Sequence, residues 1–282
     1  SIGVNVQILT GSTKKSQRKV IHEKLLSGDI DILVGTHALI EDSVQFKSLG
    51  IVIIDEQHRF GVAQRGKLWK KNKLYPPHIL VMTATPIPRT LSMTIYGDLD
   101  ISIIDELPPG RKVINTIWKS DSSRLQIISL MKREISLGRQ IYVVFPLIEE
   151  SKKLDHKNLM DGYENLIREF PLPDFQISIV HGKMTNEEKE YEMKRFVDGI
   201  TNILVATTVI EVGVNVPNAS VMIIESSERF GLSQLHQLRG RVGRGSDQSY
   251  CVLVSGNKLS SEAKKRLSTM VKHTCLLYTS DA

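Results

Sequence analysis

Eight short runs of apolar residues, most of them Ile and Val, limit most strongly how this chain can fold. They occupy residues 30–34, 51–55, 79–82, 140–145, 177–180, 203–206, 221–225 and 250–254. As a group they do not alternate polar with apolar. A strand with one wet face alternates, whereas a strand covered on both faces reads as a continuous apolar run, and such strands belong to parallel sheets. Between the runs lie stretches with helical spacing, at 16–26, 87–96, 122–136, 185–197 and 232–242. Thr185 followed by Glu188 fits a capping box that opens the fourth of these. Gly28, Gly138 and Gly199 stand where helices should stop. The β-α-β order repeats along the chain, so the expected fold class is α/β.

Leu107-Pro108-Pro109-Gly110 reads as a linker, because two prolines and a glycine break both helix and strand. With 282 residues the chain is long enough for two domains, and each side of the linker has its own strands. The expected division is 1–108, 109–256, and a helical extension with a foreign-looking tail in 257–282. Residues 152–173 are polar and irregular and read as a surface excursion with one helix. At 41% hydrophobic and 24% charged, the chain has ordinary globular composition rather than that of a disordered one. No apolar run reaches the length of a membrane span, so no membrane partner is expected. The two cysteines, Cys251 and Cys275, lack metal-ligand spacing, and Cys251 reads as a core residue. This cysteine usage suits a reducing cytosol. The net charge of +6 favours polyanionic partners. Ser1-Ile2-Gly3-Val4 carries no initiator Met and reads as the middle of a longer product.

Two carboxylates follow the run at 51–54, and open parallel sheets bind ligands beyond the carboxyl ends of their strands. Asp55 is placed to hold Mg²⁺ beside a nucleotide's phosphates, and Glu56 to orient or deprotonate an attacking water. An acidic turn after a strand is also common without function, but Gln57 and His58 complete a D-E-Q-H set suited to sensing a γ-phosphate. Thr83 and Thr85, in T-A-T-P after the next run, offer hydroxyls that could couple to this acidic motif; a plain helix cap is the simpler reading of them alone. Arg241 and Arg244, in Q-L-R-G-R-V-G-R, are three apart and share one face if helical. Two guanidinium forks suit a phosphate chain. Gly240 and Gly243 argue against an ordinary solvated helix, since close approach to another element would need them. Gly11, Ser12, Thr36, His37, His181, Gly182, Thr207 and Thr208 all follow apolar runs, and small polar groups on one sheet edge suit a nucleic-acid backbone. Residues 61–68 nearly match a P-loop, but Leu68 cannot supply the Mg²⁺-binding hydroxyl, and no true P-loop exists in the sequence.

The ordered set D-E-Q-H, T-A-T-P, T-T-V-I-E-V-G and Q-L-R-G-R-V-G-R resembles the superfamily 2 helicases. The fuller stretches I-D-E-Q-H-R-F-G-V, T-A-T-P-I-P-R-T, Y-G-D-L-D, I-D-E-L-P-P-G-R-K and F-P-L-I-E-E-S resemble the RecG family, from about Val6 to about Met270. The resemblance implies two RecA-like domains with ATP at their interface, the first incomplete at its N-terminus. It implies a bacterial, cytoplasmic, monomeric translocase that uses ATP and Mg²⁺ to remodel branched or duplex DNA, including forks and Holliday junctions. It places Asp55 on the metal, Glu56 on the water, and Arg241 and Arg244 on phosphate; Glu211, Gly213 and Gln237 fall near the nucleotide. The family's P-loop and wedge domain should precede Ser1, and its DNA-moving element should begin near residue 270. Instead, 273–282 match nothing expected. Asn215 stands where the family usually has Asp. This chain alone is therefore expected to turn over ATP poorly. Two rivals stay open: the motor of a transcription-repair coupling factor, and a non-catalytic DNA-binding fragment.

Overall fold

A computed structural model of the chain describes residues 3–55, 71, 75–83, 100, 102, 104, 106, 109–146, 152–207 and 216–273, with the backbone alone for 152–158. The chain divides into two compact units, Ser1–Ala84 and Thr85–Ala282. The expected helix at 87–96 and the tail from residue 274 lie outside the described residues.

Unit 2 is built on six parallel strands: β5 (Asn115–Ser120), β6 (Gln140–Phe145), β7 (Ile177–Val180), β8 (Ile203–Thr207), β9 (Ala219–Ile224) and β10 (Tyr250–Ser255). Their order across the sheet is β5-β10-β9-β6-β8-β7. The continuous apolar runs have the predicted meaning. In β6, Ile141 and Val143 enter one core while Tyr142 and Val144 enter the other. β8, β9 and β10 divide in the same way, as in Val205 against Leu204 and Ile223 against Met222. Successive side chains of a strand point to opposite faces, so a strand apolar at every position needs a cover on each side.

Helices supply those covers. On one face lie α2 (Arg124–Ser136), through Ile127, Ile128 and Met131, and α3 (Lys152–Glu169), through Leu159. On the other lie α4 (Asn186–Val197), α5 (Leu232–Arg239) and α6 (Ser261–Lys272), through Phe196, Leu235, Leu238, Leu267 and Met270. The α3 segment is therefore a sheet-covering helix rather than a surface excursion. Its Gly162 sits against β6, and a Cβ there would fall 2.3 Å from Cζ of Phe145. Thr185 caps α4 with the expected capping box, and the reciprocal bond from its backbone N–H holds the Glu188 carboxyl below its usual range. No helix among the described residues is long and apolar enough to cross a membrane.

Among the described residues, unit 1 contains two separate parallel pairs: β1 (Val6–Leu9) with β2 (Ile32–Gly35), and β3 (Ile51–Ile54) with β4 (His78–Val81). Helix α1 (Lys15–Ser27) packs Ile21 and Leu25 on the first pair. A 3₁₀ turn, His37–Ile40, packs Ile40 on the second with Ile54. Here the expectation of cover on both faces is not met. Alternate strand residues are open, with Ile8 65%, Ile51 59% and Ile53 58% exposed. Each pair has a packed face and a bare one.

Candidate functional site

Because every sheet is parallel, the residues that leave the strands' carboxyl ends share an edge within each sheet. In unit 1, Gly11 and Ser12 follow β1, and Thr36 and His37 follow its partner β2; all four are exposed. The loop after β1 is well built. The Thr13 hydroxyl accepts from the Thr10 N–H at 2.9 Å, the Thr10 and Ser12 hydroxyls share a 2.9 Å bond, and Arg18 donates to the Thr10 carbonyl. Arg18 is held in turn by Glu41 at 2.6 Å.

Asp55 follows β3 and Thr83 follows β4, so this pair also shares an edge, and both residues are exposed. Asp55 offers a hard carboxylate oxygen of the kind Mg²⁺ takes. No group of three or more metal-ligating side chains gathers among the described residues. One carboxylate plus phosphate oxygens still fits the usual way Mg²⁺ is held in nucleotide sites. Glu56, Gln57, His58, Thr85, Thr208, Glu211 and Gly213 lie outside the described residues, as do 61–68 and Asn215.

In unit 2, His181 and Gly182 follow β7 and Thr207 ends the adjacent β8. Gly182 is exposed, whereas Thr207 is 2% exposed and its hydroxyl has no hydrogen-bond partner among the described residues. Two strands further in, Glu225 leaves β9 beside Arg124. The guanidinium grips both Glu225 oxygens, the second at 3.0 Å, and also Asp121 at 3.0 Å. The Glu225 bond, more than any other contact, raises the Arg124 pKa.

The arginine motif corrects one expectation. Helix α5 ends at Arg239, not at 242, so Arg241 and Arg244 do not share a helical face. They stand on the turn that follows. Arg241 and Val242 close short bonds back to Leu238 and Arg239, and Gly243 adopts φ +72, which a residue with a Cβ rarely does. Both arginines act on one neighbour: burial pushes the Tyr142 phenol up to about 12 against the opposing pull of Arg244 and Arg241. Gln237 lies half-buried on the last turn of α5. Arg239, the third arginine, has a different job. It is 4% exposed, and it donates to the Met270 and His273 carbonyls at the end of α6, at 3.0 and 2.9 Å. Tyr142 and Arg239 carry no sequence signal for these roles, since each needs a neighbour far along the chain. Burial pushes the Cys251 thiol up to about 12, in keeping with a core residue.

Two family models cover most of the chain. Residues 1–94 match the DEAD/DEAH box helicase model and residues 123–246 the helicase conserved C-terminal domain. The structure of the helicase Lhr from Mycobacterium smegmatis shares the fold at 17% identity, with a TM-score of 0.65 over 99% of this chain and 37% of that one. Fold and arginine turn thus define a superfamily 2 helicase chain with RecA-like folds.

Within that class the identities are far higher. The chain is 55% identical over 265 residues to the ATP-dependent DNA helicase RecG of Synechocystis, covering 94% of this chain and 31% of that protein. It is 52% identical over 267 residues to the Bacillus subtilis protein of the same name, covering 95% and 39%. A solved structure of RecG bound to a three-way DNA junction matches with a TM-score of 0.76 at 43% identity, over 99% of this chain and 36% of that one. The chain belongs to the RecG family and spans well under half the length of these relatives.

Proposed function

We propose that this chain supplies the motor segment of an ATP-driven translocase that remodels branched DNA. In this reading Asp55 holds Mg²⁺, which neutralises phosphate charge, and Glu56 orients the attacking water. Arg241 and Arg244 stabilise the charge that develops on the transferred phosphoryl group. Gln237, Glu211 and Gly213 contact the nucleotide. The exposed edge residues Gly11, Ser12, Thr36, His37 and Gly182, with His181, Thr207 and Thr208, track the DNA backbone, and Thr83 and Thr85 couple the acidic motif to the rest of unit 1. The protein works as a monomer in the bacterial cytoplasm.

The observation that carries the reading is the arginine turn. Its two arginines stand on either side of Val242-Gly243, where the backbone takes a form that only glycine adopts without strain, on a chain 43% identical to a RecG solved on a three-way junction. The test is DNA-stimulated ATP hydrolysis by the full-length protein. Glu56→Gln should abolish it, and Arg244→Ala should lower kcat by roughly a thousandfold or more. Turnover that persists in Glu56→Gln overturns the assignment. The chain by itself, without a P-loop in its sequence, is expected to show near-background turnover.

A further inference from the structure

Four residues ahead of β5, Arg111 reaches across the sequence to the arginine turn. Its Nε donates to the Gly243 carbonyl at 2.5 Å. That oxygen belongs to the peptide that joins Gly243 to Arg244. Fixing this peptide plane sets the direction in which the Arg244 backbone leaves the turn. The point needs fixing, because glycine at φ +72 leaves more freedom than any other residue would. A hydrogen bond from a charged donor is also the stronger kind.

The rest of the segment follows the same path without placing a side-chain donor on that peptide's carbonyl. Ile114 packs so closely on Gly243 that a Cβ there would come within 2.8 Å of its Cγ1. Gln248 donates to the Val113 carbonyl at 2.9 Å, and the Asn115 N–H donates to Ser249 at 2.9 Å. Residues 113–115 are thus anchored by Gln248 and by the pairing of β5 with β10. Arg111 alone, among the described residues, places a side-chain donor on the carbonyl between the two arginines.

We propose that Arg111 is a positioning residue that locks the Gly243–Arg244 peptide so that Arg241 and Arg244 are presented together. This rests on the phosphate role given to those arginines above. It also gives the stretch just after the predicted linker a task beyond connection, since a change in its path reaches the arginine turn directly.

The experiment compares variants of the full-length protein by steady-state DNA-stimulated ATP hydrolysis and by melting temperature. Displacing a transition-state group by about 1 Å costs on the order of a hundredfold. Arg111→Ala is therefore expected to lower kcat roughly 10- to 100-fold, with KM for ATP and the melting temperature close to the parent's. Arg111→Gln keeps a donor and is expected to recover part of the loss. Gln248→Ala loosens the same segment away from Gly243 and is expected to keep nearly full turnover. In an Arg244→Ala background, Arg111→Ala is expected to add little, because the two act as one unit.

A normal kcat in Arg111→Ala, while Arg244→Ala is crippled, overturns this proposal and leaves the phosphate role standing. An equal loss in Gln248→Ala also overturns it, since general loosening then explains the effect. Full turnover in Arg244→Ala sinks the phosphate role itself, and the positioning role with it.

Discussion

β3 and β9 are written alike, as apolar strands that end on a carboxylate, I-V-I-I before Asp55 and V-M-I-I before Glu225. Their surroundings differ completely. Ile223 in β9 is 1% exposed and lies among helices, while Ile53 in β3 is 58% exposed. Glu225 is 7% exposed and clasped by Arg124, while Asp55 is exposed. The comparison teaches that a run of Ile and Val reports what a strand requires, not what the chain provides for it. Likewise, a carboxylate at a strand end becomes structural or chemical according to what faces it. Glu225 is the ordinary acidic turn; Asp55 has the accessibility a ligand needs.

The largest expected effect tests the packing side of this contrast. Ile223→Ala should cost about 2–5 kcal/mol, as removal of methyl groups from a filled core does, whereas Ile53→Ala should cost less than about 1 kcal/mol. Denaturant titration of the two variants decides it, and equal costs would erase the distinction. Next comes the carboxylate pair. Glu225→Gln weakens a charge-assisted fork at a nearly buried site and should cost about 1–3 kcal/mol. Asp55→Asn should change stability by under about 0.5 kcal/mol while removing ATP turnover from the full-length protein. The reverse pattern would exchange the two roles.

The smallest effect concerns acid. Burial, and then Arg239, lower the His236 pKa, and the Arg239 guanidinium faces its Nδ1 at 3.1 Å. A donor there requires a neutral ring. The unfolded chain therefore binds this proton more readily than the folded one, so stability rises with pH across the window between the two pKa values. The contribution is complete above the unfolded value of about 6.5 and is lost as pH falls below it. Melting curves from pH 8 to 5.5 should show this slope, and His236→Gln should flatten it.

The sequence showed the central strands of unit 2 clearly, because residues such as Val143 and Leu204 leave no polar position for solvent. It missed β1 and β5, where Gln7 and Lys119 interrupt the apolar pattern; β5 lies at a sheet edge, where one side needs no strand partner. It placed one helix in 152–173 but took the stretch for a surface excursion, because polar residues outnumber the few, such as Leu159, that bury. The carboxyl-edge placement of the candidate residues was legible, since it follows from parallel strands. The shape of the arginine turn was not. Gly240 and Gly243 hinted at a special backbone, but the end of α5 and the separate task of Arg239 depend on Ile114, Met270 and His273, which no local spacing discloses.

Gly162 and Phe145 are better regarded as one position shared by two elements. The missing side chain of the helix is occupied by the ring at the strand's end. A glycine inside a helix costs about 1 kcal/mol relative to alanine, so its presence records how closely α3 lies on β6. Variation at either residue should thus be conditional on the other. A larger residue at 162 becomes tolerable when 145 shrinks, and a smaller residue at 145 leaves a void that only growth at 162 fills.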